Sequence, residues 1–576
     1  MDNKLVVVIG AGPSGLAVCK EILAAGLTPA CFEQKDVLGG VFASSKWPFH
    51  LTSSSVLTAF SGFPPRDPTP TMWSKEQYLE YLQDYVDHFG LVPYIEYGVS
   101  IRRVEHHADT QQWRVEVVNK GGEIRQLNAA AVVVCSGTHA SPKIPALVDP
   151  AKNYGFEGTV THSSSLPWPP ESLSPERRRR VLLVGLGETG SDLARLFTQL
   201  EPPSQVVISV REAAGWVAPR WRGKLPADLL TNRITWGLPR SFGGRVIRLL
   251  LGLSDRFLGQ SRVFKAIGAY NLASKYASHG PYGVYGTKSS GFIEAVEDGM
   301  AVLRPAIDSL GPSKRVTFVD GTATEADLVV LSTGLAPSLT FLDDSMAAYA
   351  ARPSSRLYGH VVPPDSAARG LYFVGFARPG FGAIPPLAEM QGRWIAGLIS
   401  GNLHLPPADE MRRQIASYNA DRNKLFRYHA DTLPTLVDFI PYYEWLTERV
   451  GCQIQWDELA MLDPALFRRL LFGAFTSAQF RLFGPMALSV EARAHIFALP
   501  RPPRRPWAIV ALIVYIFCHV PFVFFSSFSP VGVGLPKDST IRQRFRWLKT
   551  VLTGTVRGWF LDSSHDALVG EIGARD

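Results

Sequence analysis

The chain has 576 residues, of which 46% are hydrophobic and 19% charged, so it is long enough for two to four domains and is not a disordered polymer. Its net charge of +8 lies in local basic clusters, which favours a membrane surface over nucleic acid as a partner. Five scattered cysteines predict no metal site, argue against disulfide-reductase chemistry and indicate a reducing compartment.

The first predicted unit is a strand, a glycine-rich turn and a helix. Leu5–Ile9 is a short apolar run, and the helical spacing after the turn ends near Gly26. Glycines in such a turn let the backbone approach a pyrophosphate, which lies on the N-terminus of the helix. Glu33 ends the next strand about 20 residues later, where a carboxylate accepts from ribose hydroxyls. The turn comprises Gly10, Ala11, Gly12, Pro13, Ser14 and Gly15.

A second unit with the same plan begins with the apolar run 181–184, so the sequence predicts two bound dinucleotides. Ser209 and Arg211 end its second strand, where Glu33 stands in the first unit. An arginine there suits a 2′-phosphate, which favours NADPH over NADH. The turn and the start of its helix comprise Gly185, Leu186, Gly187, Glu188, Thr189, Gly190, Ser191 and Asp192.

Two later apolar runs predict further strands. Residues 327–332 are followed by Thr333 and Gly334, and residues 371–375 form the other run. We expect the first nucleotide domain to resume after the second one has been inserted. The predicted fold class is α/β, with two Rossmann-like dinucleotide-binding domains and a C-terminal helical and membrane segment.

Residues 507–528 carry no formal charge and are numerous enough to span the hydrocarbon of a bilayer. A membrane anchor is the favoured interpretation, because a buried core helix would need apolar cover on all sides. Basic residues flank both ends, so a spanning and a re-entrant topology both stay open. A second stretch, residues 245–258, is equally compatible with a bilayer surface and with packing on the body.

A third pattern lies between the two glycine turns, where Phe156, Gly158 and His162 form an F-x-G-x-x-x-H sequence. From residue 5 to about 490 the chain resembles the flavin-containing monooxygenases, and its later part resembles their animal, membrane-attached branch. The other stretches that carry the resemblance are Gly39-Gly40-Val41-Phe42, residues 60–64, residues 134–139, Ser332-Thr333-Gly334, residues 389–394 with Gln391, and residues 472–485.

The resemblance implies an FAD-dependent NADPH monooxygenase in which a 4a-hydroperoxyflavin, formed with dioxygen, oxygenates a nucleophilic nitrogen or sulfur of a small molecule. It places FAD on the Glu33 unit and NADPH on the Arg211 unit. Further cofactor contacts are expected at Gly40, Val41, Phe42, Thr52, Thr333, Gly334 and Gln391. The catalytic body is expected to face the cytosol from a membrane, that of the endoplasmic reticulum if the source is eukaryotic.

The implied domain division has six parts. They are the first part of the FAD-binding domain (1–165), the inserted NADPH-binding domain (166–330), the return of the FAD domain (331–440), a helical region (441–505), the membrane segment (506–530) and a basic tail (531–576).

Two residues depart from the family pattern. Leu166 replaces the aromatic residue that closes the F-x-G-x-x-x-H sequence, and Thr52 stands where the family keeps an asparagine that touches flavin and nicotinamide. Thr52 and Ser53 are the catalytic candidates nearest the flavin, while His162 is expected to bond a backbone carbonyl rather than to act in acid–base catalysis. Baeyer–Villiger oxygenation of a ketone, an uncoupled NADPH oxidase and a flavin sensor stay open as alternatives.

Overall fold

The computed structural model of the chain describes residues 4–107, 109–149, 155–170, 179–211, 215–222, 224–236, 262–274, 283–351, 356–429 and 433–500. The predicted membrane segment 507–528, the basic tail and the stretch 245–258 lie outside the described residues. Among the helices that are described, none has both the length and the apolar character needed to cross a bilayer.

Two parallel five-stranded sheets form the centre of the molecule, in the orders β20-β7-β1-β2-β3 and β14-β11-β10-β18-β9. The strands up to the second glycine turn are β1 (Leu5–Ile9), β2 (Thr28–Glu33), β3 (Ile95–Tyr97), β4 (Val99–His107), β5 (Gln112–Asn119), β6 (Ile124–Ala129), β7 (Ala131–Val134), β8 (Ser141–Pro142), β9 (Thr159–His162) and β10 (Arg180–Val184). The later strands are β11 (Gln205–Ser209), β12 (Trp221–Arg222), β13 (Leu225–Pro226), β14 (Ala301–Arg304), β15 (Ile307–Leu310), β16 (Arg315–Phe318), β17 (Ala323–Glu325), β18 (Leu328–Leu331), β19 (Leu335–Ala336), β20 (Leu371–Phe373), β21 (Arg378–Pro379) and β22 (Leu436–Val437).

The first sheet is closed by a strand from beyond the second sheet. β1 pairs in parallel with β2 and β7, and β20 pairs in parallel with β7. Val6, Val7 and Val8 are fully buried, as expected for a parallel strand that is covered on both faces. The second sheet is therefore inserted between two strands of the first.

The second sheet reaches upstream of residue 166. Its edge strand β9 pairs with β18 in parallel, with Leu328 opposite Thr159. Leu166 is 1% exposed and packs in the core of this second unit with Phe197. A boundary at 166 therefore leaves β9 outside the sheet to which it is hydrogen-bonded.

Helices cover both sheets. The first five in chain order are α1 (Pro13–Ala24), α2 (Val41–Ser44), α3 (Ser55–Thr58), α4 (Lys75–His88) and α5 (Glu188–Thr198). The remaining α-helices are Arg233–Trp236, Arg262–Ala273, Gly291–Glu297, Asp344–Ala351, Ile384–Ile399, Ala408–Leu425, Phe439–Val450, Trp456–Leu462, Pro464–Phe472 and Ser489–Ala498. Short 3₁₀-helices occur at Val92–Tyr94, Ala146–Val148, Ala227–Leu230, Ser366–Ala368 and Ser477–Arg481.

The C-terminal helices share one apolar core with α1 and the first sheet. At the centre of that core, the buried Arg481 donates to Glu21 of α1 at 2.7 Å and to Glu389 at 2.9 Å. The same guanidinium donates to Ser61 Oγ at 2.7 Å. This ion cluster connects both ends of the described chain beneath the first glycine turn.

Candidate functional site

The first glycine turn is shaped by close backbone approaches. Gly10 has φ +100°, and a Cβ on Gly15 would lie 1.8 Å from the carbonyl oxygen of Gly10. The buried Glu33 carboxylate accepts from the amide of Ala11 at 2.9 Å and from that of Lys35 at 2.9 Å. These hydrogen bonds thus fix Glu33, at the end of β2, to the glycine turn and so to the start of α1.

Gly40 lies directly against this turn. A Cβ on Gly40 would be 3.2 Å from the Cα of Gly12, which is the N-cap of α1. Val41 and Phe42 follow as the first residues of α2; Val41 is exposed, and Phe42 packs edge-on against Tyr78 with the ring centroids 4.8 Å apart. Because Gly12 and Gly40 carry no side chains, the N-terminus of α1 is open to a phosphate group.

The second turn repeats the geometry of the first. Gly185 also has φ +100°, and a Cβ on Gly190 would lie 2.4 Å from the carbonyl oxygen of Gly185. Gly187 is the N-cap of α5, and among the described residues no atom beyond its chain neighbours lies within 4 Å of a Cβ placed there. No described side chain therefore covers the N-terminus of α5 at Gly187.

The side chains of Ser191 and Asp192 form hydrogen bonds within the protein. Ser191 Oγ donates to the carbonyl of Ser289 at 3.0 Å. Asp192 accepts from Ser289 Oγ at 2.6 Å and from Arg220 at 2.7 Å. Both side chains fix neighbouring segments of the second unit, which the sequence does not indicate because their partners lie far away along the chain.

A cavity of about 360 Å³ lies at the ends of β11 and β14. Two arginines line it: the expected Arg211, and Arg304, which the sequence analysis missed although it ends an apolar strand. The buried Ser209 does not line it; its Oγ donates to the carbonyl of Pro305 at 2.9 Å and ties the two strands together. The other lining residues are Leu186, Val210, Tyr270, Leu303 and Pro305.

The Thr52 loop (residues 51–54) lies between the two units. Thr52 is half-buried, whereas Ser53 is buried and its hydroxyl is 2.8 Å from that of Thr58. The amide of Ser54 donates at 2.7 Å to Oδ2 of Asp228, which lies in the segment between β11 and β14. Of the two catalytic candidates, Thr52 therefore has the more accessible side chain.

The F-x-G-x-x-x-H residues are structural. A Cβ on Gly158 would be 2.5 Å from the Phe156 ring and 2.6 Å from the carbonyl of Ala326. His162 Nε2 is 3.1 Å from the carbonyl of Gly334 and donates to it, because Nδ1 accepts from the amide of Ser164 at 3.1 Å. Burial lowers the pKa of His162, so its ring is neutral at pH 7. The expected bond to a backbone carbonyl is confirmed.

Thr333 and Gln391 also bond within the protein. Thr333 Oγ1 donates to the carbonyl of Lys143. Gln391 is fully buried; its Oε1 accepts from the amide of Gly375 at 3.0 Å, and its Nε2 donates to Tyr442 at 2.7 Å. A Cβ on Gly375 would be 2.3 Å from Ser14 Oγ, so Gln391 supports the first glycine turn from behind.

Residues 3–501 match the sequence profile of the flavin-binding monooxygenase-like family. The chain belongs to this family. It is 30% identical over 509 residues to a 4-hydroxybenzoate brominase (decarboxylating) of Pseudoalteromonas luteoviolacea, covering 86% of this chain and 93% of that one. It is 29% identical over 504 residues to flavin-containing monooxygenase 5 of Rattus norvegicus, covering 84% of this chain and 90% of that one.

Solved structures of flavin monooxygenases have the same fold. Cyclohexanone monooxygenase bound to ε-caprolactone has a TM-score of 0.56 at 19% identity, covering 77% of this chain and 97% of that one. S-allyl-L-cysteine S-oxygenase of Allium sativum has a TM-score of 0.53 at 19% identity, covering 78% of this chain and 90% of that one. At these identities the likeness concerns the fold alone.

This flavin monooxygenase is an oxidoreductase that uses FAD and NADPH. Its residues fit two dinucleotides. Gly12 and Gly40 add no side chain at the N-terminus of α1, and Gly187 adds none at that of α5. The acid at the end of β2 and the two arginines beside β11 distinguish the units chemically, since a carboxylate accepts from ribose hydroxyls whereas arginines bind a phosphate.

Glu188, Asp228 and Lys288 form a group of charges in which Lys288 is buried and the two carboxylates are part-buried, and no local sequence pattern indicates it. The amide of Lys288 donates to Glu188 Oε1 at 2.7 Å, and Lys288 Nζ donates to the carbonyl of Gly382 at 2.9 Å. Burial raises the pKa of Glu188 to about 7, while Arg220 opposes that rise. Burial also lowers the pKa of Lys288, and the carboxylates of Glu188 and Asp228 oppose this. We call Glu188, Asp228 and Lys288 the junction cluster.

Proposed function

We propose that this enzyme is an NADPH- and dioxygen-dependent monooxygenase that oxygenates a nucleophilic nitrogen or sulfur of a small molecule. The observation that carries the proposal is the pair of open helix N-termini, one beside Glu33 and the other beside Arg211 and Arg304. Rat flavin-containing monooxygenase 5 and the rat N-oxide-forming dimethylaniline monooxygenase 4, both 29% identical, support it.

In this proposal the chain binds, orients and shields two cofactors. Bound FAD supplies the redox chemistry that activates dioxygen with electrons from NADPH. Gly10, Gly12 and Gly15 accommodate the FAD pyrophosphate, while Gly187 and Gly190 accommodate that of NADPH. Ala11, Pro13, Ser14, Val41 and Phe42 border the first site, and Gly185 and Thr189 border the second.

Thr52 is proposed to lie beside the flavin ring. Its hydroxyl donates one hydrogen bond, whereas an asparagine amide has two N–H donors. Other candidate residues shape the site, because their polar groups form hydrogen bonds within the protein. They are Ser53, Ser191, Asp192, Ser209, Thr333, Gly334 and Gln391. Excluding water from the junction favours oxygen transfer over release of hydrogen peroxide.

A product screen tests the proposal. The FAD-loaded full chain is given NADPH and, in separate reactions, dimethylaniline, a methyl aryl sulfide, cyclohexanone, or 4-hydroxybenzoate with sodium bromide. Hydrogen peroxide is measured in each reaction. We expect N-oxide or sulfoxide in proportion to the NADPH oxidised. Lactone without sulfoxide would establish the Baeyer–Villiger alternative, and peroxide without any oxygenated product would establish an oxidase.

Bromination of a phenol is the second candidate function. Two 4-hydroxybenzoate brominases, from Pseudoalteromonas luteoviolacea and Marinomonas mediterranea, are 30% and 29% identical to the chain and are covered over 93% of their lengths. In the screen, this function predicts a brominated phenol that requires both NADPH and bromide. Its mass spectrum would show the paired isotope peaks of bromine, and its absence with sulfoxide present would eliminate this candidate.

Attachment to a membrane through residues 507–528, with the body on the cytosolic side, completes the proposal. The test is alkaline extraction of membranes from cells that express the full chain or its L512R/I516R variant. We expect the full chain to stay in the membrane pellet and the variant to be released, because each arginine at the centre of a span costs about 3 kcal/mol. Release of both proteins would contradict the anchor.

A further inference from the structure

The Thr52 loop is held by the chain segment between β11 and β14. Ser54 is 174 residues away from Asp228 in sequence, yet its amide donates to Asp228 Oδ2 at 2.7 Å. Asp228 lies in the 3₁₀-helix Ala227–Leu230. Ser54 is also the N-cap of α3, and its Oγ accepts from the amide of Leu57 at 3.4 Å. The backbone path just after Thr52 therefore depends on a carboxylate from the segment between β11 and β14.

Asp228 is a part-buried acid with one enclosed carboxylate oxygen; burial raises its pKa, and the Lys288 ammonium opposes that rise. Its Oδ1 has no hydrogen-bond partner among the described residues, so Ser54 takes only one of its two oxygens. The ammonium of Lys288 attracts the carboxylates of both Asp228 and Glu188. A buried carboxylate is costly without a hydrogen bond and an opposite charge, and this position supplies one of each.

Lys288 itself is fixed by tight packing. A Cβ on Gly286 would be 2.1 Å from the Phe381 ring, and a Cβ on Gly380 would be 2.7 Å from the carbonyl of Val284. The amide of Gly286 donates to the carbonyl of Gly380 at 3.2 Å. Residues 284–288 thus pack directly against residues 380–382 of the FAD-binding unit, where the Lys288 ammonium donates to the carbonyl of Gly382 at 2.9 Å.

We propose that Asp228 is a positioning residue of the monooxygenase reaction, whose carboxylate clamps the Thr52 loop to the segment between β11 and β14. Glu188 on the second glycine turn accepts from the Lys288 amide, and the Lys288 ammonium attracts the Asp228 carboxylate. The placement of Thr52 at the flavin rests on the proposed function; the clamp itself does not.

Hydrogen–deuterium exchange of the FAD-loaded full chain tests the clamp without any substrate. In D228A the Ser54 amide loses its acceptor, so we expect residues 51–58 to exchange at least ~10-fold faster than in the native chain. D228N keeps an oxygen acceptor and is expected to retain near-native exchange. D298N is the matched control, because Asp298 forms an exposed ion pair with Arg195 on the same unit.

Unchanged exchange of residues 51–58 in D228A would overturn the proposal, and so would equal deprotection in D228N and D228A. If D228A fails to retain FAD, D228E replaces it, since its longer side chain displaces the acceptor but keeps the charge; native exchange in D228E would then contradict the clamp.

A kinetic readout separates positioning from general loss of structure. We expect D228A to change the KM for NADPH less than ~2-fold, because the coenzyme's contacts at Arg211 and Arg304 are intact, while the share of NADPH oxidised to peroxide rises severalfold. An equal rise of KM in D228A and an arginine variant would contradict a role at the Thr52 loop. The exchange experiment uses no substrate, so its result stands even if the product screen finds no oxygenated product. The clamp and the proposed function can therefore be contradicted separately.

Discussion

Two arginines lie at the ends of neighbouring strands of the second sheet. Arg304 is the last residue of β14 and is paired in register with Ser209 of β11, two residues before Arg211. Both line the same cavity, and both are exposed. Guanidinium groups bind phosphate through charge-assisted, bidentate hydrogen bonds, so two of them discriminate strongly between a 2′-phosphate and a 2′-hydroxyl.

We expect R211A and R304A each to raise the KM for NADPH about 10-fold while leaving the KM for NADH nearly unchanged, since each removes a charge-assisted hydrogen bond of about 1.5 kcal/mol. The measurement is steady-state oxidation of both coenzymes by the FAD-loaded enzyme. R315A, a change at an exposed arginine on β16, is the control. An equal rise of the KM for NADPH and for NADH would show that these arginines do not bind the 2′-phosphate.

We expect the carboxyl group of Glu188 to make the affinity for the coenzyme depend on pH. Its pKa of about 7 means that the carboxyl is mainly neutral at pH 6 and mainly charged at pH 8. As the first residue of α5, a charged Glu188 repels a pyrophosphate at the same helix end. We therefore expect NADP⁺ affinity to fall severalfold more between pH 6 and 8 in the native enzyme than in E188Q.

Calorimetric titration of NADP⁺ at several pH values measures this difference. Titration of the 2′-phosphate contributes equally to both proteins, so the comparison isolates Glu188. Parallel plots of NADP⁺ affinity against pH for the two proteins would refute its effect.

The raised pKa of Glu188 also makes the stability of the fold depend on pH. The unfolded chain releases the Glu188 proton near pH 4.5, and the folded chain releases it near pH 7. The contribution of Glu188 to the free energy of unfolding is therefore fully present below pH 4.5 and is lost as the pH rises to about 7.

At the level of elements, the second glycine turn offers a matched pair of substitutions. In G187A the new methyl meets no atom of the described residues within 4 Å beyond its chain neighbours, whereas in G190A it would lie 2.4 Å from the Gly185 carbonyl. We expect G187A to fold and retain FAD but to bind NADPH at least ~10-fold more weakly, because the methyl obstructs the approach of the pyrophosphate. G190A is expected to lower the thermal midpoint of the whole unit.

Coenzyme titration and the temperature of FAD release measure the two effects. Native NADPH affinity in G187A would contradict a pyrophosphate at this turn. The corresponding change in the first unit, G15A, serves as a second steric comparison, since its methyl would lie 1.8 Å from the Gly10 carbonyl.

The strand–turn–helix units could be predicted from sequence because their determinants are local: an apolar run, a short glycine pattern and one terminal acid or arginine. The functions of Ser191, Asp192 and Gln391 could not, because their partners Ser289, Arg220 and Gly375 come together only in the folded chain. The junction cluster was missed for the same reason, since Glu188 and Lys288 are 100 residues apart. Leu166 departs from the family pattern but fills the apolar core of the second unit.

At the scale of the whole molecule, the inserted second sheet and the C-terminal helices are both secured by buried charge. Arg481 is 460 residues from Glu21 in sequence, and both side chains are at most 1% exposed. Arg481 holds the pKa of Glu21 below its usual value even though burial pushes it upward. The first helix of the FAD-binding unit is thus ionically connected to the last helical layer.

Replacement of Arg481 by methionine is expected to destabilise the FAD-binding unit by about 3 to 5 kcal/mol, because buried Glu389 would lose its ion-pair partner and buried Glu21 would keep only Lys20. R493M is the matched control, since Arg493 pairs with Asp463 at the surface, where such pairs contribute about 1 kcal/mol or less. Flavin fluorescence during heating measures both. In the R481M background, E21Q/E389Q is expected to recover part of the lost stability, since it removes the two buried carboxylates that Arg481 balances. Equal shifts in R481M and R493M, or no recovery in the triple variant, would show that side-chain packing rather than charge balance holds the C-terminal layer in place.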